Sequence, residues 1–224
     1  MIGFRILERK RQVAAHVVAQ FRDIPVANVS DSMSRLTAGG ARLRPMHRGG
    51  VMAGPALTVK TRPGDNLMVH KALDLAVPGD VIVVDAGGDL TNAIIGEIMS
   101  TYAKARGVAG IVINGAIRDA DAIRAGAFPV YAAGVTHRGP YKDGPGEINV
   151  PLALDGMVIE PGDLVLGDGD GLLCVPFDAT AAVHALAAEK VKVEARELAA
   201  ASQAALERSW VDTRLQQLGL KQTG

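Results

Sequence analysis

The sequence is poor in cysteine and in aromatic residues. Cys174 is the single cysteine among 224 residues, and aromatic residues make up 4% of the chain. One cysteine excludes an intrachain disulfide and a metal cluster held by several thiolates. Cys174 lies in the apolar run LLCVP, which predicts a buried thiol rather than a nucleophile. Few aromatic side chains, with Trp210 the single tryptophan, disfavour a surface that stacks nucleic-acid bases.

Neither sign of charge is in excess, because 24 Lys and Arg residues balance 24 Asp and Glu residues. A balanced chain lacks the long-range field that attracts nucleic acid or an anionic membrane, so we expect neither as a partner. The sequence also lacks an apolar run of roughly 18 residues, the length that a membrane span requires. Its charged beginning is not followed by the apolar core of a signal peptide, and we therefore expect a cytoplasmic protein.

Several common functional motifs are missing. The sequence contains no GxGxxG, Walker A, HExxH or GxSxG pattern, which leaves the usual nucleotide-binding, zinc-protease and serine-hydrolase functions without their characteristic residues. The remaining composition, 48% hydrophobic and 21% charged, is typical of a globular domain with a full core.

The stretch from Gly96 to Asp119, GEIMSTYAKARGVAGIVINGAIRD, is the most informative part of the chain. Its first half predicts a helix over 97–106 with Ile98, Tyr102 and Ala105 on the apolar face, and its second half predicts a buried strand. A helix of about nine residues and a returning strand of about five residues have similar lengths. The two ends of the stretch should therefore meet, at the edge where open α/β sheets bind ligands.

The residues expected to meet there suit a small carboxylate and a metal ion. Free N–H groups at the start of a helix opened by Gly96 favour an anion, and Arg118 offers a bidentate partner for the same group. Asp119 and Glu97 carry the hard oxygen ligands that Mg²⁺ or Mn²⁺ prefers. The alternative is structural, since an Asp after a strand commonly caps the helix that follows it.

Elsewhere the patterns predict a β-rich single domain in which helices flank a mixed sheet. His70 falls within a predicted helix and is not chosen as a ligand. The predicted elements are a helix over 7–21, a short helix capped by Ser30 and ending near Leu36, a strand over 51–61 broken at Gly54-Pro55, helices over 66–76 and 120–125, a long loop over 136–149, short β runs over 150–175, and a long helix from about 181 to 205 with a second segment to 218.

Five runs of the sequence follow one another in a specific order and spacing: PGDVIVVDAGGD, GEIM, RGVAGIVINGAIRD, GPYKDGPGEINVPL and PGDLVLGDGDG. They resemble the RraA-like superfamily and, within it, the 4-hydroxy-4-methyl-2-oxoglutarate/4-carboxy-4-hydroxy-2-oxoadipate aldolases. The resemblance implies one domain over 1–224, with a core at about 28–176 and a helical extension at about 178–218. It also implies an α/β fold, an α-β-β-α sandwich of the swivelling-domain type with flanking terminal helices, assembled as a homotrimer or hexamer with sites between subunits.

The same resemblance implies a class II, divalent-metal-dependent pyruvate aldolase that also decarboxylates oxaloacetate. The family's substrate-binding stretch falls on Gly96, Glu97, Ile98 and Met99, its pyruvate-holding arginine on Arg118 and its metal-binding aspartate on Asp119. Glu97 would help to hold the waters of the metal ion. A neighbouring subunit could add an acidic residue, for which the candidates are Glu189, Glu194 and Glu197.

Two other functions remain open at this point. Some members of the superfamily resemble regulators that bind and inhibit a ribonuclease without catalysis, and a related metal-dependent lyase could act on another 2-oxo acid. The complete set of Glu97, Arg118 and Asp119 favours an enzyme. The candidates for the distal half of the substrate are His137, Arg138, Lys142 and Arg62.

Overall fold

The computed structural model describes residues 2–37 and 40–220. The chain divides into two compact units, Met1–Ala187 and Ala188–Gly224. The elements, in chain order, are β1 Phe4–Ile6, α1 Ala15–Phe21, α2 Val26–Ser32, β2 Arg44–Pro45, β3 Met52–Thr61, α3 Leu67–Leu75, β4 Val81–Asp85, β5 Ala93–Ile95, α4 Glu97–Ala105, β6 Gly110–Ile117, α5 Ala120–Ala125, β7 Val130–Val135, β8 Gly146–Ile148, β9 Leu152–Leu154, β10 Met157–Ile159, β11 Leu164–Asp168, β12 Gly171–Val175, a 3-10 turn Phe177–Ala179, α6 Thr180–Ser202 and α7 Ser209–Gln217.

The main sheet is mixed, and its centre is parallel. The strands run in the order β1-β8-β3-β4-β6-β7-β2, with β5 beside β6 and the β11–β12 hairpin joined to β3. β3, β4, β6 and β7 are parallel neighbours, and Val83 of β4 lies opposite both Thr58 of β3 and Val112 of β6. Parallel strands are covered on both faces, which explains why β4 and β6 are nearly continuous apolar runs.

Alternating side chains divide the core into layers. In β4, Ile82 and Val84 pack toward α3 and α4, whereas Val81 and Val83 pack on the opposite face against β9, β10 and the hairpin. Successive side chains of a strand point to opposite faces, so each strand joins two layers.

The hairpin repeats this alternation and completes the sandwich. Val165 and Cys174 face the sheet, whereas Leu164 and Val175 face α1, α2 and the first turns of α6. The resulting order is helix, sheet, sheet, helix. The predicted α-β-β-α fold with flanking helices is therefore confirmed, and Cys174 is buried as expected.

The second unit holds the remainder of α6 and all of α7. Its side chains form local ion pairs along the helix, such as Lys190 with Glu194 at 3.4 Å. Leu198 and Trp210 are exposed within this unit. Over the residues that the structure describes, every helix is too short or too polar to cross a membrane.

The predicted N-terminal helix was wrong in its first half, because α1 begins only at Ala15. Residues before it are held in an extended path by distant partners. The N–H of Leu7 donates to the carbonyl of Ile148 at 3.0 Å, and Arg9 pairs with the buried carboxylate of Asp80 at 2.7 Å. Contacts with residues far along the chain thus override the local helical pattern.

Two further predictions were also wrong. Ser30 lies inside α2, which begins directly after Pro25, so it caps nothing. β3 runs without a break through Gly54 and Pro55, because β11 pairs with that half of the strand. A side chain at Gly54 would overlap the carbonyl oxygen of Gly79, so close packing rather than a turn accounts for this glycine.

Candidate active site

Arg118 and Asp119 follow the end of the central strand β6. The N–H of Arg118 donates to the carbonyl of Ile95 at 3.0 Å, which ties the strand end to β5. Asp119 has a left-handed backbone, with φ 55° and ψ 40°, and so turns the chain into α5. This turn places both side chains at the carboxyl edge of the sheet, and each is a little over 40% exposed, Arg118 at 43% and Asp119 at 41%.

Asp119 caps a different helix from the one expected. Its side chain makes no capping bond to α5. Instead its Oδ2 accepts a hydrogen bond of 2.9 Å from the N–H of Glu97, the first residue of α4. The alternative that Asp119 merely caps its own helix is therefore wrong, and the ends of the 96–119 stretch meet as predicted.

Gly96 allows the side chains of Asp119 and Arg118 to lie close to the start of α4. A Cβ at position 96 would overlap Oδ2 of Asp119 and lie 2.9 Å from Cγ of Arg118. Its backbone is extended, with φ −147°, so the glycine is required by close approach rather than by backbone conformation. Any larger residue would push the carboxylate and the guanidinium away from the start of α4.

The start of α4 presents backbone donors to the same place. The first N–H groups of a helix have no partner within the helix. The N–H of Glu97 donates to Asp119, while Ile98 and Met99 line the adjacent pocket. Their N–H groups and Arg118 together suit a small carboxylate, because the helix end and the guanidinium both favour negative charge.

The pocket beside these residues has a volume of about 180 Å³. Its lining includes the predicted Gly96, Ile98, Met99, Arg118 and Asp119. It also includes residues that were not predicted or were named only as candidates: Asn66, His70, Ile94, Ile95, Pro140 and Lys142. A volume of this size suits a metabolite rather than a cofactor of nucleotide size.

Asn66 contributes a buried polar group to the pocket wall. It is 2% exposed, and its Nδ2 donates to the carbonyl of Ile94 at 2.8 Å. Its Oδ1 has no partner among the described residues. An unpaired buried acceptor is costly, so this oxygen is suited to a hydroxyl or water within the pocket. No sequence pattern indicates this role, because Asn66 resembles an ordinary helix start.

His70 lies on the exposed side of α3 and faces the pocket. Desolvation and the neighbouring charge of Lys142 lower the pKa of His70 below its ordinary value, while Asp74 opposes them. This lowered pKa favours the uncharged form of the imidazole. His70 thus adds a polar group to the wall.

The loop that carries Lys142 is held firmly by one buried carboxylate. Asp65 is fully buried, and its Oδ2 accepts from the N–H groups of Asp143 and Gly144, each at 2.8 Å. The N–H of Asn66 also donates to the carbonyl of Tyr141 at 3.0 Å. The predicted long loop thus ends in the short strand β8, and its middle forms part of the pocket wall.

Some predicted residues lie elsewhere. Glu97 is exposed and does not line the pocket; it lines a neighbouring depression beside α5. Arg62 pairs with Asp65 at 3.1 Å, and neither His137 nor Arg138 lines the pocket. The predicted apolar face of α4 was wrong, because Ile98 is 80% exposed whereas Met99 and Ala103 are buried.

Sequence comparison places the chain in a family. Residues 26–174 match the RraA-like family, described as Aldolase/RraA. The chain belongs to the RraA-like family. The match covers most of the first compact unit, including every residue that lines the pocket.

RraA-like relatives carry two kinds of name. A protein of Halalkalibacterium halodurans, provisionally named 4-hydroxy-4-methyl-2-oxoglutarate aldolase, is 44% identical over 165 residues, 74% of this chain and 79% of that protein. The RNA-processing inhibitor RraA from Thermus thermophilus has a similar structure, with a TM-score of 0.64 and 32% identity over 69% of this chain and 93% of that one. The aldolase names favour a lyase-type enzyme.

A third relative supports the fold without a functional name. An uncharacterized protein from Pseudomonas syringae aligns with a TM-score of 0.78 and 29% identity, covering 86% of this chain and 94% of that one. The structural similarity therefore covers most of the chain.

The RraA-like site offers few protein ligands for a metal ion. Within residues 2–37 and 40–220, no group of three or more His, Cys, Asp or Glu side chains could hold a metal. Asp119 uses Oδ2 for the N–H of Glu97, which leaves Oδ1 without a described partner. One open carboxylate fits Mg²⁺ or Mn²⁺, since Mg²⁺ commonly keeps several waters and binds through one or two carboxylates.

Proposed function

We propose that the chain is a pyruvate aldolase of class II that depends on a divalent metal, Mg²⁺ or Mn²⁺. It would cleave a 4-hydroxy-2-oxo acid, 4-hydroxy-4-methyl-2-oxoglutarate or 4-carboxy-4-hydroxy-2-oxoadipate, to pyruvate and a second keto acid. Oxaloacetate decarboxylation is proposed as a side activity. The observation that carries the proposal is the convergence of Arg118, Asp119 and the N–H groups of Ile98 and Met99 on one small pocket.

In this proposal, the backbone N–H groups and Arg118 bind the pyruvyl end of the substrate, and the bond that breaks lies beyond that end. The carboxylate of the pyruvyl end accepts hydrogen bonds from the N–H groups of Ile98 and Met99, as an anion at a helix start does. Arg118 lies over the adjacent 2-oxo group and holds it in a fixed orientation. Pre-set orientation of this kind removes much of the entropic part of the barrier.

Asp119 would hold the divalent ion, and Glu97, the first residue of α4, would help to hold the waters of that ion. When bound, the ion supplies Lewis-acid polarisation of the 2-oxo group and acidifies a water. A hydroxide ion in the pocket would take the proton of the C4 hydroxyl and become water. The C3–C4 bond breaks, its electron pair passes into an enolate, and C4 becomes a carbonyl, while a water later protonates C3 and so restores the hydroxide. Arg118 stabilises the negative charge of that enolate. Protonation at C3 completes pyruvate.

Decarboxylation of oxaloacetate fits the same arrangement. Cleavage of the C3–C4 bond releases C4 as carbon dioxide and leaves the same pyruvate enolate, which Arg118 would stabilise in the same way. One site therefore accounts for both reactions, and the two differ only in the group that leaves.

A second copy of the chain is part of this proposal. Ile98 and Tyr102 lie about one turn apart on the surface of α4. Ile98 is 80% exposed and Tyr102 is 46% exposed. Apolar side chains at the rim of a site are typical of a contact surface. We propose a homotrimer or hexamer, which light scattering on the purified protein would distinguish from a monomer.

The deciding experiment is pyruvate release measured with lactate dehydrogenase. 4-Hydroxy-4-methyl-2-oxoglutarate and oxaloacetate are each supplied with Mg²⁺, with Mn²⁺, and with EDTA. Metal-dependent release from the hydroxy acid is the expected result. Release of pyruvate from oxaloacetate alone would instead indicate a decarboxylase or a lyase that acts on another 2-oxo acid.

The similarity to the RraA inhibitor from Thermus thermophilus motivates a second candidate function. A regulator would bind and inhibit a ribonuclease and would not require Arg118 or Asp119. A folded protein that releases no pyruvate from either substrate, and that slows RNA cleavage by a ribonuclease, would replace the aldolase with this function.

A further inference from the structure

The loop that forms one wall of the pocket has two supports. The first is the buried carboxylate of Asp65, which holds the N–H groups of Asp143 and Gly144. The second is the N-terminal strand β1, which pairs in parallel with β8, the strand at the end of the loop. The N–H of Gly146, the first residue of β8, donates to the carbonyl of Gly3 at 2.7 Å. The loop therefore reaches from the pocket wall to β1.

The aromatic ring of Phe4 in β1 contacts the backbone of this loop. A Cβ at Gly144 would lie 2.5 Å from Cε1 and 2.8 Å from Cζ of Phe4, so the ring lies directly against that residue. The N–H of the same residue donates to Asp65 at 2.8 Å. Phe4 and Asp65 thus act on one residue of the loop, two positions after Lys142 in the pocket wall.

The ring of Phe4 is not part of the core. It is 55% exposed and belongs to none of the three clusters of buried side chains. All of β1 is exposed, and the strand lies at the edge of the sheet. Loss of the ring should therefore change the loop more than the stability of the whole domain, because few buried apolar contacts depend on it.

Polar contacts keep β1 in place without the ring. Glu147 accepts the N–H of Gly3 at 2.7 Å and pairs with Arg5 at 2.9 Å. The N–H of Leu7 donates to the carbonyl of Ile148 at 3.0 Å. Removal of the Phe4 ring should consequently leave the backbone of β1 paired with β8 and take away mainly the contact with the loop.

We propose that Phe4 is a positioning residue for the pocket. Its ring holds Gly144 in place beside Asp65, and this keeps the wall that contains Pro140 and Lys142 in the arrangement that binds the substrate. Phe4 does not line the pocket itself, so it acts on the substrate only through the loop. The inference rests on the proposed aldolase function and adds to it a residue that affects substrate binding from a distance.

The test compares Phe4→Ala with Phe4→Leu and Ile6→Ala. Phe4→Leu retains an apolar side chain that can cover Gly144. Ile6→Ala is the matched control, because Ile6 is 47% exposed on the same strand and also lies outside the buried clusters. The values of kcat and KM are measured by pyruvate release from 4-hydroxy-4-methyl-2-oxoglutarate, and urea unfolding checks that each variant is folded.

In Phe4→Ala, KM should rise roughly 5- to 10-fold, at the lower end of the coupling found between distant sites. The value of kcat should change by less than about 2-fold, because a displaced wall weakens the binding of substrate and transition state equally. Phe4→Leu should recover most of the loss, and Ile6→Ala should keep the wild-type KM. Equal rises in KM for Phe4→Ala and Ile6→Ala would mean that any damage to β1 has this effect and would overturn the inference, as would an unchanged KM in Phe4→Ala.

Hydrogen exchange in the absence of substrate separates this inference from the proposed function. The N–H groups of Asp143 and Gly144 should exchange roughly 5- to 10-fold faster in Phe4→Ala than in the wild-type protein and in Ile6→Ala, because exchange follows local opening. If the wild-type protein releases no pyruvate but this pattern is found, the aldolase function fails and the positioning of the loop by Phe4 stands. Equal exchange at these groups in all three proteins would overturn the inference.

Discussion

The carboxylate of Asp119 accepts the N–H of Glu97 at 2.9 Å, across a separation of 22 residues. This bond joins the end of the central strand to the start of α4 and brings Arg118 beside the free N–H groups of Ile98 and Met99. The same carboxylate thus has two roles, one oxygen organising the site and the other open to a cation. Substitutions at and around Asp119 can separate these roles from general effects on folding.

Substitution of Asp119 by asparagine should separate capping from charge. Asparagine caps helices about as well as aspartate, so the free energy of unfolding should change by less than about 1 kcal/mol. The metal-dependent activity should fall by at least roughly 100-fold, because an amide is a poor ligand for a hard divalent cation. Urea unfolding and pyruvate release measure the two effects.

Alanine at the same position should lose both roles. Asp119→Ala should nearly abolish turnover and also cost about 0.5 to 2 kcal/mol of stability, the usual effect of removing a helix cap. Arg118→Ala should nearly abolish turnover as well, with an intact fold. Wild-type activity in a folded Asp119→Ala protein would refute the assignment of this residue.

Gly96→Ala should damage the site while leaving the protein folded. The added methyl group would overlap the carboxylate of Asp119 and displace Arg118. Misplacement of catalytic groups by about 1 Å can cost roughly 100-fold in rate, and we expect a fall in kcat/KM of that order. Gly126→Ala is the matched control, because the nearest atom to its Cβ would be 3.6 Å away. Equal activities of the two variants would argue against close approach at Gly96.

Asp65→Asn should loosen the loop that carries Lys142. The buried carboxylate accepts hydrogen bonds from the N–H groups of Asp143 and Gly144 and pairs with Arg62. Replacing its charge should cost roughly 2 to 4 kcal/mol of stability and raise KM for 4-hydroxy-4-methyl-2-oxoglutarate. Asp143→Asn, which changes an exposed carboxylate in the same loop, should leave both quantities nearly unchanged. Hydrogen exchange at residues 141–144 would reveal the loosening directly.

The N-terminal strand should make stability depend on acid pH through Glu147. Hydrogen bonding from the N–H of Gly3, and then the Arg5 guanidinium, lower the pKa of Glu147 below its ordinary value of 4.5. A depressed pKa means that the folded state favours the carboxylate, so the stabilisation is complete above pH 4.5 and is lost as pH falls below it.

The measurement is urea unfolding of the wild-type protein and of Glu147→Gln between neutral and acid pH. The wild-type protein should be the more stable at neutral pH, and the difference should shrink as pH falls below 4.5. A difference that stays constant with pH would show that the carboxylate charge does not hold β1 against β8.

The sequence by itself determined the central helix and strand, and it predicted that their ends meet. The helix over 97–105 and the following strand depend on local propensity, the apolar run after Val108 and a stop at Gly107, which has φ 76°. The expected five-residue strand was too short, because β6 has eight residues, about 26 Å, against about 14 Å for α4. Gly96 and Asp119 meet because β5 runs beside the end of β6 and α4 begins directly after β5. The residue types there, Arg, Asp and a glycine before a helix, already indicated a site for a carboxylate.

Only the tertiary structure decided which groups surround that site. Asn66, His70 and Lys142 come from α3 and a distant loop, and no local pattern joins them. The exposure of Ile98, the continuity of β3 through Pro55 and the extended path before Ala15 also depend on partners far along the chain. Local sequence sets propensities, whereas contacts between distant segments decide which propensities prevail, because burial and backbone pairing exceed the fraction of a kilocalorie by which residues differ in propensity.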